Sequence, residues 1–248
     1  MRSMLWVVVS SAALVACGSG GLTAITSAGA MTSSGTSAPD NLLGVYSGSA
    51  LQGSVNKTVF GVVLASGEYY FAEMAPNQVV ELVHGTSVAQ GGTLTSTDMM
   101  DFPSAQNPLT GSLAGTYVLA SSISGNLNYT SNTVTPQSLS LTYQLNSNAP
   151  QLPTAVARSW NFTDNTGASG TLTVDGYGNV SGSTSSSGCT LSGTMSPGNA
   201  AYNLTLNLTN CVVSGSLSGV AVLNPGTGGL ALMAMTPTRN GAWVASAM

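Results

Sequence analysis

His84 is the one imidazole in the chain, so any Ser/His/Asp or Cys/His catalysis has to pass through it. No Gly-x-Ser-x-Gly nucleophile elbow accompanies it. On a strand over Val79-Val80-Glu81-Leu82-Val83-His84, Glu81 and His84 point to opposite faces, which reads His84 as an exposed strand-end residue. Paired carboxylates are the other route to chemistry, as general acid and base on a glycoside or as hard ligands for Ca²⁺. Glu68, Glu73, Glu81, Asp98 and Asp101 gather in the first half, and Asp164 and Asp175 stand alone in the second. Asp98-Met99-Met100-Asp101 is the close pair, but it has no third acid in a loop pattern, so the acids read as a solvated rim. Asp175-Gly176-Tyr177-Gly178-Asn179 lacks the further acids and closing Glu of a calcium loop and reads as a hairpin turn. The methionines are not spaced as a Met-x-x-Met copper site and read as core filling. Tyr69-Tyr70-Phe71 puts two rings on one face and one on the other, where an exposed ring would suit a sugar or a partner. No cofactor is expected from this inventory.

The elements that hold these residues are constrained by composition. Of 248 residues, 5% are charged and 43% hydrophobic, against about a quarter charged in ordinary soluble domains. The four cations are scattered at Arg2, Lys57, Arg158 and Arg239, so the basic patch that nucleic-acid binding requires is missing. Polar character comes instead from Ser, Thr, Asn and Gly 30, the residues of strands and turns.

Period-two alternation dominates after residue 41. Ser138-Leu139-Ser140-Leu141-Thr142-Tyr143-Gln144-Leu145 and Tyr202-Asn203-Leu204-Thr205-Leu206-Asn207-Leu208-Thr209 each have one apolar face and one uncharged polar face. Ser66-Gly67, Asp175 to Asn179, Ser196-Pro197-Gly198-Asn199 and Asn224-Pro225-Gly226 supply the reversals. The expected fold is an all-β antiparallel meander: two small barrel-like or sandwich domains, or alternatively one larger barrel. Pro150 and Pro153 mark the internal boundary, giving β domains at 42–146 and 155–248 joined by a linker at 147–154.

The N-terminus has a different character. Met1-Arg2 precedes the apolar run Leu5 to Leu14, which is too short to span a bilayer. It ends in Leu14-Val15-Ala16-Cys17, which resembles the lipobox of bacterial lipoproteins. That resemblance implies removal of a signal peptide at 1–16, acylation of Cys17, and residence in the cell envelope. Gly18 after the Cys implies onward sorting to an outer membrane. Two or three acyl chains, at about 0.8 kcal/mol per buried methylene, would anchor the chain without spanning the membrane. Residues 17–41 carry no apolar period and read as a Ser/Gly/Thr tether reaching on the order of 25 Å.

With Cys17 given to lipid, Cys189 and Cys211 remain, and an even remainder in an exported protein suggests a disulfide. A turn at Pro197-Gly198 would bring Cys189 level with Leu206, so the bridge would need a bulge or a folded-back loop. The functional expectation is a lipid-anchored, non-catalytic β-rich binding or structural module. Its partners would be the membrane, through the N-terminal lipid, and an envelope protein, glycan or hydrophobic ligand. The alternatives are an integral outer-membrane barrel and a hydrolase using a carboxylate pair.

Overall fold

The computed structural model describes residues 38–75, 78–104, 106–145, 147, 151–185 and 188–248. Residues 1–37, on which the expected signal peptide, the acylated Cys17 and most of the expected tether fall, lie outside the described residues, as do 148–150 of the expected linker. The described chain is all β apart from one 3₁₀ turn at Pro153–Ala155. Two closed antiparallel barrels account for it, as the two-domain reading of the alternation expected.

The first barrel is built from β1 (Gly44–Gln52), β2 (Val55–Val63), β3 (Glu68–Ala75), β4 (Gln78–Thr86), β5 (Val88–Gln90), β6 (Thr93–Pro103), β7 (Leu109–Val118), β8 (Ser122–Tyr129) and β9 (Gln137–Tyr143). Strands adjacent in sequence pair except β4 with β5, β1 pairs with β9, and β4 and β5 both pair with β6, which closes the cylinder. The second barrel comprises β10 (Ser159–Asp164), β11 (Ser169–Val174), β12 (Asn179–Thr184), β13 (Thr190–Ser196), β14 (Tyr202–Thr209), β15 (Gly215–Leu223), β16 (Leu230–Met235) and β17 (Ala242–Ala247). It closes through β10 and β17. Closure removes the free strand edges that a Ser/Thr-rich open sheet would present to other chains.

Alternation decides which side chains fill each barrel. β14 runs strictly buried-exposed along Tyr202–Thr209, sending Tyr202, Leu204, Leu206 and Leu208 inward and Asn203, Thr205 and Asn207 outward. Trp160, Phe162, Leu172, Leu232 and Trp243 complete the second interior. Tyr46, Phe71, Leu94, Met99, Leu113, Ile123 and Leu127 fill the first. Tyr69 stacks on Phe71 inside it, with centroids 5.1 Å apart. Each such side chain contributes roughly 1.5–3 kcal/mol on burial.

Both barrels begin in the same way. Tyr46 donates its hydroxyl to the carbonyl of Leu42, and Trp160 donates its indole N–H to the carbonyl of Val156, each 2.9 Å and four residues back. The entering chain thereby folds over the barrel mouth and buries Leu42 and Val156. Asp40, placed in the tether by the sequence reading, is already docked: its N–H donates to Ala89 and its carboxylate accepts from Tyr117.

On β2, β3, β4, β15, β16 and β17, outward positions are buried too. A third cluster, with Phe60, Val62, Tyr70, Leu82 and Phe102 from one barrel and Val220, Val222, Met233 and Val244 from the other, packs the barrels together. Both belong to one compact unit. Strands apolar on both faces are the sequence mark of this double burial.

Candidate functional site

The first interior turns polar at one end. Lys57 on β2, Glu73 on β3, Glu81 on β4, Asp101 on β6, Tyr129 on β8 and Gln137 on β9 share the inward parity of Val59, Phe71, Val83, Met99, Leu127 and Leu139. Registers Glu73↔Glu81 and Val83↔Asp101 bring the acids to one level. Lys57 Nζ lies 3.2 Å from Glu73 and also contacts Glu81. Gln137 donates to the same Glu73 carboxylate at 2.5 Å, and the Tyr129 hydroxyl lies 2.8 Å from Asp101 and 3.1 Å from the Gln137 carbonyl oxygen.

Two carboxylates therefore share one ammonium, with Asp101 beside them on Tyr129, in a nearly dry space, Glu73 being 0% and Asp101 2% exposed. One oxygen each of Glu73 and Asp101 is buried with no hydrogen-bond partner. Burial raises the Glu73 carboxyl despite Lys57. Asp101 is pushed up to about 6 by burial, with the Glu73 charge adding to the rise and the Tyr129 bond opposing it. Burial and the neighbouring Asp101 charge raise the Tyr129 phenol, which stays a neutral donor. The cluster can store a proton; it does not resemble a metal cage, since Lys57 occupies the space between Glu73 and Glu81. Among the described residues no group of three or more His, Cys, Asp or Glu side chains is arranged to hold a metal ion.

These placements correct the solvated-rim reading for Glu73, Glu81 and Asp101. The missed signal was parity: each acid continues the inward series of its strand. Lys57, Tyr129 and Gln137 were missed for the same reason. Asp98 and Asp101 lie on opposite faces of β6, one bonded to the Thr86 N–H at the surface and one inside, and so share no cleft.

His84 and Glu81 do face opposite sides of β4, but His84 is buried at 5% exposure rather than exposed. Its outward face is covered by the second barrel. His84 Nε2 lies 2.9 Å from Glu68, and Arg239, from the turn between β16 and β17, reaches His84 Nδ1 at 3.0 Å. Arg239 also donates to the Asp98 carbonyl at 2.8 Å. Tyr70 donates to Glu68 at 2.7 Å and packs edge-on against His84, so the ring considered for sugar stacking is buried between the barrels. The His84 bond, then the Tyr70 bond, hold Glu68 below the usual carboxylate range against the cost of its burial.

Cys189 and Cys211 are bonded, with Cα atoms 4.6 Å apart. The β13–β14 register sets Ser196 opposite Asn203 and Thr190 opposite Thr209, with Ala200 in the left-handed turn position at φ 65°. The reversal is centred two residues beyond Pro197-Gly198, so the register carries Cys189 past Leu206 to the level of Asn210, and Asn210, left-handed at φ 57°, folds the chain so that Cys211 meets it. Asp175 accepts from the N–H groups of Tyr177 and Asn179, so that segment is the expected hairpin turn. Met99 and Met195 fill the two interiors and Met233 the space between them.

Away from the interface both barrels present uncharged hydroxyl and amide ladders, such as Thr194 to Thr205 at 2.8 Å and Ser159 to Thr173 at 3.0 Å. A groove of about 490 Å³ on the first barrel is lined by Ser49, Thr116, Ser124, Asn126, Ser138 and Ser140. Another of about 740 Å³ runs between the barrels, with Met74, Val79, Phe162 and Met248 among Ser and Thr. No protein-family model, curated protein or solved structure matches the chain.

Proposed function

We propose that this chain is a lipid-anchored cell-envelope protein in which two rigid β-barrels form a non-catalytic binding or structural module. A β-rich body of this kind is suited to display and contact. The observation that carries the reading is the division of each barrel, apart from the polar end of the first interior and the apolar face the two barrels share, into a packed apolar interior and an outward face of Ser, Thr and Asn. With Trp160, Trp243 and Leu232 filling one barrel and Tyr46, Phe71 and Met99 the other, contact with a glycan or an envelope protein falls to the outer ladders and grooves. The same division is the reverse of a lipid-spanning barrel, whose outward band is apolar and whose lumen is polar, and so supports peripheral attachment over membrane insertion. Attachment rests on Cys17 at the end of the leader, and the outer membrane is the proposed destination.

The experiment is fractionation of cells expressing the full chain and its Cys17→Ser variant, with mass spectrometry of the mature N-terminus. The parent should pellet with membranes and begin at an acylated Cys17, and the variant should be soluble. An unacylated N-terminus, or a variant that still behaves as an integral protein, would overturn the reading.

A further inference from the structure

Arg239 occupies the turn between β16 and β17 at φ 53°, a left-handed conformation that is costly for a residue bearing a Cβ. Asn240, the type that tolerates such a position, stands next to it. The turn is held by the Arg239 N–H to the Thr236 carbonyl at 2.9 Å and by the Thr236 hydroxyl to Asn240 at 2.6 Å. What the strained position achieves is reach: the guanidinium crosses to the first barrel and meets β4 and β6.

The contact fixes a protonation state. A guanidinium carries donors and no acceptor, so at 3.0 Å from Arg239 Nη2 the His84 Nδ1 must accept. The imidazole proton therefore sits on Nε2, where it is donated to Glu68 at 2.9 Å. His84 is neutral in this arrangement. A second proton would have to enter at Nδ1, setting an N–H and a positive charge directly against the guanidinium.

We propose that Arg239 is a proton-sensitive latch between the two barrels, donating to His84 Nδ1 only while that nitrogen is unprotonated and held to the first barrel by Asp98 alone once it is protonated. The other groups facing the imidazole are consistent with release. Glu68 and Tyr70 come from β3, and Glu68 keeps its bond to Nε2 in either charge state. Asp98 on β6 already holds Arg239 alongside His84, its carbonyl accepting from Nη2 at 2.8 Å and its carboxylate 3.6 Å from Nη1, so Arg239 can leave Nδ1 and stay paired. Tyr69, buried nearby, donates to Ser96 and brings no charge. The apolar cluster of Val62, Leu82, Val222 and Met233 keeps the barrels docked meanwhile, so the change is local.

The test is NMR of the isotopically labelled full chain in a sweep from about pH 8 down to about pH 5. At the alkaline end His84 should show an acceptor Nδ1 and a protonated Nε2, with Arg239 side-chain N–H signals distinct from free guanidinium. On acidification the Arg239 signals should shift in step with the His84 ring resonances as the contact to Nδ1 is lost, while Asp98 still holds the guanidinium. In the His84→Gln variant, which cannot gain charge there, the Arg239 signals should not change with pH. The opposite tautomer, Arg239 signals that do not follow the His84 ring resonances, or the same pH-dependent shift in His84→Gln would overturn the proposal. The tautomer measurement stands even if the variant fails to fold.

Discussion

Lys57 reaches Glu73 across 3.2 Å inside the first barrel, with the ammonium side chain 10% and the carboxylate 0% exposed. Its neighbours Glu81 and Asp101 make it the sole cation against three acids at that barrel end. Removing one partner of a buried ion pair leaves an uncompensated charge in low dielectric, which costs about 3–5 kcal/mol. Lys57→Met, which preserves chain length, should destabilise by that amount in denaturant melts. Adding Glu73→Gln and Glu81→Gln should recover most of the loss; if it does not, packing rather than charge is what Lys57 supplies.

Asp101 gives the first barrel a pH dependence of opposite sign to that of an ordinary paired carboxylate. Its folded-state pKa of about 6 lies above its ordinary 3.8, so the native state holds the proton longer than the unfolded chain. The contribution to stability is fully present below about pH 4 and is lost as pH rises through about 6. The raised Glu73 carboxyl adds in the same direction. Asp101→Asn can still accept from Tyr129 and carries no charge. It should gain on the order of 1–3 kcal/mol at pH 7, nothing below about pH 4, and lose the slope between. Equilibrium unfolding at several pH values measures this, and an Asn variant less stable at pH 7 would refute it.

The Cys189–Cys211 bridge spans a sequence separation of 22. A crosslink of that size removes roughly 3 kcal/mol of unfolded-state entropy. It ties the open ends of β13 and β14 beside the barrel wall, next to Thr184, Val213 and Trp243. A Cys189→Ser/Cys211→Ser chain should melt at correspondingly lower denaturant while keeping its β-sheet circular dichroism. Loss of the folded spectrum altogether would mean that the bridge is needed to form the second barrel.

How far sequence could go is visible in individual strands. The β14 pattern over Tyr202–Thr209 gave strand, inward face and outward face correctly, because alternation is a property of the local pleat. The same parity, carried from Val59 to Lys57, from Phe71 to Glu73 and from Met99 to Asp101, would have placed the acids and the lysine inside. It was overridden by the ordinary preference of charged groups for water. The Cys189 register failed by a shift of the turn: Ala200, not Gly198, takes the positive φ, and nothing in the residue type announces it.

Alternating apolar and hydroxyl side chains, punctuated by Gly, Asn and Pro, were enough to specify strands, hairpins and an all-β class, since each depends on neighbours a few residues apart. Closure of β1 onto β9 and of β10 onto β17, and the meeting of His84 with a guanidinium 155 residues away, were not legible in that pattern. They depend on strand twist around a full barrel and on two outer faces matching in shape. Those are non-local quantities, and only the folded chain assembles them.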